Sequence, residues 1–481
     1  MRTTFSGISI ALRALQTQQI SLDITGHNVA NVNNPNYSRQ TALHSATNPY
    51  PAPMMGYTPS NGQLGTGVQI SQINRMRDSF VDLRLRQQLH SKNYWATMEE
   101  GLRQIELFFN EPTENAIHYA LDQFWDSLQD LSREPDFTAV REVVVQRAQV
   151  LVESITGTRS QLQQLRENIN GNIPIKVSEV NSLATRIADL NVQIGKISAT
   201  GSLPNDLLDA RDALLEELSQ LVDIEVVQDH ANMVGVTIGG ASLVHRGTSY
   251  SLVTGGVPSA EENYKKNEIY WAATGSKVDI RSGEIGGLMR LRDEDIQDAI
   301  SRLDKWTLEF ANEFNRIHAE GFDLYDNTGP DGVTVENFFN IGDGSFAALN
   351  ISVDANLASD VSLIRASVVE GAVGNGENAL ELANLRFNPP KDSHVTIGDS
   401  FNSIISMIGV NTQEAIRMNE NDTALENHLR NLKESTSGVS LDEEMANMIR
   451  FQHAYSAAAR MMTAVDETLD IIINRLGIVG R

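Results

Sequence analysis

Residues 441–476 read LDEEMANMIRFQHAYSAAARMMTAVDETLDIIINRL, and this stretch decides the fold of the chain. Apolar residues recur in it every seven positions, and a second set follows three residues later. This is the a/d pattern of a coiled-coil helix. The first set is Leu441, Met448, Tyr455, Met462, Leu469 and Leu476, and the second is Phe451, Ala458, Val465 and Ile472. Glu444 is the one interruption of the pattern.

The beginning of the chain carries a matching stripe, formed by Phe5, Ile8, Leu12, Leu15, Leu22 and Val29. The two ends are therefore predicted to pair as a terminal coiled coil. The 16 apolar positions of both stripes bury too little surface to offset the entropy of ordering both ends. We therefore expect the ends to become rigid only when they pack against neighbouring molecules. Ordinary core helices of a bundle have the same spacing, so spacing alone leaves both interpretations open.

A turn-rich segment, HNVANVNNPNYSRQ at residues 27–40, follows the first stripe. Asparagines favour caps and turns, and a proline ends a helix. The segment resembles the signature of the rod, hook and hook-associated proteins of the bacterial flagellum. The positions that carry the resemblance are Asn28, Asn31, Asn34, Pro35, Tyr37, Ser38, Arg39 and Gln40. That family commonly has Gly where this chain has Asn36, and Asn tolerates the left-handed conformation, so we expect the turn to be kept.

The middle of the chain resembles one branch of that family, the hook-associated protein 1 branch. The resemblance is carried by residues 106–112, 120–125, 128–132, 321–324, 437–444 and 450–455. It implies a structural axial protein that forms the junction between hook and filament and is required for filament assembly. The implied partners are further copies of the chain, the hook protein on one side, and the second junction protein or the filament on the other. An export chaperone is the partner implied for the C-terminal helix.

Three other interpretations remain open. A hook or distal rod protein of the same family would share the termini but lack the helical segment at 106–132. A flagellin would lack the turn at 34–37. A surface-exposed adhesin or binding module would need an aromatic cluster in the β-rich region, which Tyr250, Tyr264, Tyr270 and Trp271 could supply.

Charge and hydropathy limit the location and partners of the chain. The 38 basic and 62 acidic residues give a net charge of −24, which repels nucleic acid and anionic membrane surfaces. No apolar run approaches the roughly 18 residues of a membrane span, and no signal-peptide pattern opens the chain. The resemblance implies export through the flagellar type III apparatus without a cleaved signal. We therefore expect an extracellular protein of the flagellum, and the absence of cysteine agrees with that location.

Catalytic and cofactor patterns are weak. Residues 398–402 fail the nucleophile-elbow pattern at the last position. The acidic stretch Asp323, Asp326, Asn327 and Asp331 has residue types of a calcium loop without its spacing, so it indicates a turn. The sequence therefore predicts no enzyme, no cofactor and no metal site.

The predicted fold class is mainly α with an inserted small antiparallel β domain. Residues 1–65 and 436–481 are assigned to the terminal coiled-coil assembly domain. Residues 66–223 with 286–321 and 376–435 are assigned to a discontinuous helical rod domain, whose helices are interrupted at Pro174 and at residues 201–204. Residues 224–285 with 322–375, which contain short β-branched runs between glycines, are assigned to a β-rich outer domain.

Overall fold

The fold consists of long helices with small antiparallel sheets. A computed structural model describes residues 5–49, 65–109, 117–258, 264–327, 335–342, 344–391 and 393–475. The helices are α1 (Ser6–Ala30), α2 (Ser79–Phe108), α3 (Ile117–Arg133), α4 (Thr138–Ser198), α5 (Asn205–Leu221), α6 (Gly283–Arg290), α7 (Ile296–Glu320), α8 (Ala347–Asn350), α9 (Ala355–Ser359), α10 (Glu377–Asn384), α11 (Ile397–Ser437) and α12 (Leu441–Asp470). The predicted fold class is confirmed.

Each sheet among the described residues is small and antiparallel. The strands are β1 (Gln40–Ala46), β2 (Val68–Arg75), β3 (Ile224–Gln228), β4 (Val234–Ile238), β5 (Ala241–His245), β6 (Thr248–Ser249), β7 (Leu252–Pro258), β8 (Lys265–Trp271), β9 (Phe339–Asn340) and β10 (Ser352–Val353). β1 pairs with β2, β3 to β6 form one sheet in chain order, β7 pairs with β8, and β10 pairs with β9. Strands β9 and β10 thus share no sheet with β3 to β8. The division of the chain into three domains stays a prediction.

The hydrophobic core lies in the middle of the chain. Its buried members run from Met98 to Ala415 and join α2, α3, α4 and α7 to the strands. Aromatic rings form its centre, since Phe124, Phe310 and Phe314 are fully buried and the Phe124 and Phe314 rings lie 5.3 Å apart. The Trp306 indole packs on Phe401, with ring centroids 4.9 Å apart, and donates to the Ile397 carbonyl at 3.0 Å. We call this region the helical body.

The predicted interruption at Pro174 is wrong, because α4 continues through it. A proline has no N–H and leaves the carbonyl four residues earlier without its helical donor. That carbonyl belongs to Asn170, and the side-chain amide of Asn267 on β8 donates to it at 3.0 Å. The helix keeps its proline because a neighbouring strand supplies the missing hydrogen bond.

Three asparagines on α4 attach the strands to the helical body. Asn170 donates to the Lys265 carbonyl at 2.9 Å and accepts from the Asn267 N–H at 2.8 Å. Asn181 bonds both the N–H and the carbonyl of Leu252, and Asn191 does the same with Val234. A primary amide can donate and accept at once, so each asparagine bonds one backbone carbonyl and one backbone N–H of a strand, as a neighbouring strand would do. These three contacts position β4, β7 and β8 on the helix.

A π-helical segment, Leu291–Asp295, joins α6 to α7. Its Arg292 is buried and donates to Asn170 Oδ1 at 3.0 Å and to the Asn267 carbonyl at 2.7 Å. The wider π-helical turn thus brings the Arg292 guanidinium to Asn170 and Asn267, the two residues that also compensate for Pro174.

Gly101 of α2 packs closely on the first residue of this segment, Leu291. A Cβ added at Gly101 would lie 2.3 Å from the Leu291 side chain, so the close packing requires glycine there.

The segment after α7 contains turns, as its composition predicts. Asp323 Oδ1 accepts the N–H groups of Tyr325 at 2.7 Å and Asn327 at 2.9 Å, which is the geometry of an Asx turn. Asp326 and Asn327 both have a positive φ. Asp331 lies outside the described residues.

Candidate assembly site

The two terminal helices, α1 and α12, pack against each other in antiparallel directions. A Cβ at Gly7 would lie 3.2 Å from Val465, and Asn28 donates to Glu444 at 3.0 Å. From Gly7 to Asn28, and from Val465 back to Glu444, each helix advances by 21 residues. The pairing therefore keeps one register along both helices. We call α1, β1, β2 and α12 together the terminal module.

The inward face of α12 follows the predicted seven-residue pattern. Ala458 and Leu469 are buried, and Met448, Phe451, Met462 and Val465 are half-buried. Three other members are more exposed: Leu441 by 48%, Tyr455 by 39% and Ile472 by 43%. Leu476 lies outside the described residues. The one polar interruption, Glu444, is buried on this same face with 2% of its surface exposed.

The inward face of α1 differs from the predicted apolar stripe. The buried residues of the helix are small or polar, namely Ala11, Thr17, Ser21, Thr25 and Asn28. Of the predicted stripe, Ile8, Leu15, Leu22 and Val29 are half-buried, whereas Phe5 and Leu12 are exposed by 61% and 47%. Small side chains allow close approach to neighbouring elements, and the apolar residues are left at the edges and the outer face. Their role in assembly stays a prediction.

Asn28 forms the centre of the family motif. Its Nδ2 donates to the Gln40 carbonyl at 2.9 Å and to Glu444 Oε2 at 3.0 Å. Its Oδ1 accepts from the Tyr37 hydroxyl at 2.7 Å and from the Gln40 N–H at 3.0 Å. All four hydrogen-bonding positions of the amide are therefore used in a buried site. One side chain joins α1, β1 and α12.

Arg39 forms the second connection between the two ends of the chain. Its Nε donates to Glu444 Oε1 at 2.8 Å, and its Nη1 donates to Glu443 Oε2 at 2.6 Å. Its backbone N–H also donates to the Ser437 carbonyl at 2.9 Å, at the end of α11. Glu444 thus receives a neutral amide and a guanidinium, which together offset the cost of burying its charge.

The turn between α1 and β1 forms without a left-handed residue at Asn36. The Tyr37 N–H donates to the Asn34 carbonyl at 3.1 Å, and the Asn36 N–H donates to Asn34 Oδ1 at 3.1 Å. Asn36 is not among the residues with a positive φ, so the expected conformation is wrong although the turn is kept. Pro35 is exposed within the turn, and Asn31 Nδ2 donates to the His27 carbonyl at 3.0 Å.

Ser38 and Gln40 attach the terminal module to α5 of the helical body. The N–H and hydroxyl of Ser38 both donate to Asp209, at 2.9 and 2.7 Å, and Gln40 Nε2 donates to Asp206 at 2.8 Å. Arg75, at the end of β2, also donates to Asp209 at 2.6 Å. We call this set of polar contacts around Asn28, Arg39 and Asp209 the polar clasp.

Burial and the carboxylates of Asp206, Asp209 and Glu444 raise the pKa of the Tyr37 hydroxyl above its ordinary value. Tyr37 therefore stays neutral and remains a hydrogen-bond donor to Asn28. Donors from the turn, from Arg39 and from Arg75 thus face the two buried carboxylates of this set, Asp209 and Glu444.

Sequence reasoning missed several residues of this site. Thr17, Ser21 and Thr25 recur at a spacing of four on the inner face of α1, a pattern visible only to a search for small polar residues. No pattern near Asp206 or Asp209 in the sequence indicates their role, since their hydrogen-bond partners lie more than 130 residues away along the chain.

Among the described residues, no group of three or more His, Asp or Glu side chains could hold a metal ion. None of the helices described is long and apolar enough to cross a membrane.

Comparison with known protein families gives three matches. The profile described as "Flagellar hook-associated protein FlgK helical domain" matches residues 102–332. The profile of the flagellar basal body rod FlgEFG protein C-terminal region matches residues 434–476, and that of the flagella basal body rod protein matches residues 8–37. Both ends and the middle of the chain are thus similar to flagellar axial proteins.

Comparison with curated proteins and solved structures agrees. Flagellar hook-associated protein 1 of Bacillus subtilis is 33% identical, over the whole of both chains. The Escherichia coli protein of that name is 26% identical and covers 97% of this chain and 99% of its own length. The solved structure of the flagellar hook junction protein FlgK from Burkholderia pseudomallei has a TM-score of 0.64 at 17% identity. It covers 74% of this chain and 100% of its own. The structural likeness shows a shared fold.

Proposed function

Because the chain belongs to the flagellar hook-associated protein 1 family, we propose that it is the structural subunit that joins the flagellar hook to the filament. The observation that carries this function is the match over the full length of both chains, since the basal body rod profiles match only residues 8–37 and 434–476 of this chain. The chain is required for filament assembly in this proposal and has no catalytic role.

Polymerisation through the terminal module is the second part of the proposal. The buried apolar residues of α1 and α12 are only Ala11, Ala458 and Leu469 among the residues described. Large apolar side chains remain on the outer faces of both helices, including Leu12, Ile20, Met445 and Ile449, each more than 40% exposed. Exposed apolar surface of this kind is typical of interaction sites. It supports an assembly in which neighbouring copies cover the outer faces.

The partners follow from the position of the subunit. One side of the assembled ring contacts the hook protein, and the other contacts the second junction protein or the filament. Before assembly, an export chaperone covers the C-terminal helix, whose exposed Met445, Ile449 and Met461 form an adaptable apolar surface. The chain then leaves the cell through the flagellar export apparatus and functions in the extracellular flagellum.

Deletion of the gene tests this function. We expect complete hooks without filaments by electron microscopy, and flagellin lost to the culture medium. Missing hooks would assign the chain to the hook or distal rod instead. Intact flagella would leave a surface-exposed binding module as the remaining interpretation.

A further inference from the structure

Among the residues described, the chain passes between the helical body and the terminal module at two neighbouring places. One is the segment 76–78 between β2 and α2, and the other is the segment 438–440 between α11 and α12. Arg39 connects them, because its N–H donates to the Ser437 carbonyl at 2.9 Å and its carbonyl accepts the Met76 N–H at 2.8 Å. The backbone of one residue thus holds both crossings side by side. We call Arg39, Ser437 and Met76 the pivot.

The contact between the terminal module and α5 is polar. Four residues share one face of this helix because they recur at spacings of three and four, namely Asn205, Asp206, Asp209 and Asp212. Besides the bonds of the polar clasp, Asn205 Nδ2 donates to Gln40 Oε1 and to the Ile73 carbonyl, each at 3.1 Å. Arg75 donates to Asp212 at 3.0 Å. We call the contacts of these four α5 residues with Ser38, Gln40, Ile73 and Arg75 the latch.

Water can replace the bonds of the latch. The hydrophobic core includes no residue of α1, β1, β2 or α12 among those described. Separating two apolar surfaces exposes both of them to water, whereas separating two polar surfaces exchanges each hydrogen bond for bonds to water. Opening the latch also returns the charges of Asp209 and Arg75 to solvent, which recovers the cost of burying them. The latch is therefore suited to open and close while the core stays intact.

The terminal module is long compared with the contact that holds it. The hydrogen bonds described between the module and α5 come from residues 27–40 and 73–75. These residues lie where α1 ends and α12 begins. From there α12 extends over 30 residues, which corresponds to about 45 Å. A small rotation at the latch therefore moves the far end of the module by a much larger distance.

We propose that the terminal module rotates as one rigid unit about the pivot when the latch opens. Residues at the ends of helices and strands absorb such rotations in many hinged proteins. The pairing of α1 with α12 is kept, since the bonds of Asn28 and Arg39 to Glu444 lie inside the module. The rotation changes the angle at which the outer faces of α1 and α12 meet other molecules, and it leaves those faces unchanged. The motion is a property of the single molecule and does not depend on the proposed function.

Distances between two spin labels test this motion in the purified full chain, which has no natural cysteine. Ser182→Cys on α4 and Ser456→Cys on α12 are both at exposed positions and place one label on each side of the pivot. Double electron–electron resonance should give one narrow distance while the latch is intact. Asp209→Ala removes the acceptor of Ser38 and Arg75, so it should add a second, broader population of distances.

The matched control is Asp304→Ala. Asp304 also accepts from an arginine and from a backbone N–H, those of Arg159 at 3.3 Å and Ala348 at 2.9 Å, but it lies inside the helical body. This variant should keep the single narrow distance between the body and the module.

A second pair of labels, at Ser9→Cys on α1 and Gln452→Cys on α12, reports on the module itself. Its distance should stay the same in Asp209→Ala, because the module moves as one unit. Broadening of this distance would overturn the inference, since the module would then be unfolding. A single unchanged distance between body and module in Asp209→Ala would overturn it as well. If Asp209→Ala does not fold, Arg75→Gln, which removes the bonds of Arg75 to Asp209 and Asp212, decides by the same criteria.

Discussion

The helical body and the terminal module are stabilised in different ways. The body buries a cluster of aromatic rings, including Phe124, Phe310 and Phe314, within one continuous hydrophobic core. The terminal module buries mostly small and polar side chains, and the polar clasp provides its connection to α5. The body therefore contains what it needs to fold alone, whereas the module leaves apolar surface for other molecules to cover. Four predictions test this contrast.

The largest effect is expected from charges in the terminal seam. Met448→Asp with Tyr455→Asp places two carboxylates on the inward face of α12, which packs against α1, so the terminal module should loosen and incorporation into flagella should be abolished. The unfolding transition of the purified chain should change little, because both residues lie outside the hydrophobic core. Calorimetry and microscopy of complemented cells measure the two outcomes. Gln452→Asp with Ser456→Asp, at exposed polar positions of α12, is the control.

If the Met448 and Tyr455 variant unfolds as a whole, the termini belong to the main core, and the contrast between the two regions is wrong.

A cavity in the aromatic cluster should affect the body alone. Phe314 is fully buried, so Phe314→Ala should lower the free energy of unfolding by about 3 to 5 kcal/mol. Denaturant titration measures this change. Phe387→Ala, at a side chain 72% exposed, should stay within about 0.5 kcal/mol of the parent chain. Equal effects of the two substitutions would contradict the assigned core.

Acid should weaken the body through His318. Burial lowers the pKa of this imidazole to about 4, and its two nitrogens already contact the Glu336 carbonyl and the Arg365 N–H. The unfolded chain takes up the proton near pH 6.5, whereas the folded chain resists it down to about pH 4. The free energy of unfolding should therefore fall by about 3 kcal/mol as the pH drops through this window.

The measurement is the pH profile of stability for the parent chain and for His318→Gln. The part of the decline that belongs to His318 should vanish in the variant and persist in His245→Gln, since His245 is exposed. Parallel profiles for the parent chain and His318→Gln would refute the assignment.

The smallest effect is expected in the polar clasp. Asn28→Asp replaces the Nδ2 donor by an oxygen that faces Glu444 and the Gln40 carbonyl. The lost hydrogen bonds should cost about 1 to 3 kcal/mol, confined to the terminal module. Hydrogen exchange should become faster in α1, β1 and the start of α12 and stay unchanged in α4. Asn33→Asp, at an exposed position, should leave exchange unchanged throughout.

Helices and strands of the body were largely predictable from sequence, because their patterns depend on local burial. Residues 286–321, assigned to the helical rod, contain α7, and residues 224–285, assigned to the β-rich region, contain β3 to β8. Pro174 was misinterpreted because the hydrogen bond that compensates for it comes from Asn267, which lies 93 residues later. No local rule contains that contact.

The terminal site was predictable only in part. The heptad pattern identified the inner face of α12, where Leu469 and Ala458 are buried. The inner face of α1 was missed, because apolar periodicity gives no weight to Ser21 or Thr25. Glu444, a break in the pattern, is a buried partner of Asn28 and Arg39. A polar residue in a seam is interpretable only when its partners are known.

The asparagine contacts on α4 fix the number of residues that this helix must have between its contacts with the strands. Asn170, Asn181 and Asn191 each bond one strand, so their spacing sets where β8, β7 and β4 lie. One residue inserted between Asn181 and Asn191 would turn everything beyond it by about 100° and move Asn191 away from Val234. Relatives of this chain should therefore vary freely in the loops between strands, while insertions in this part of α4 should be restricted to whole numbers of helical turns.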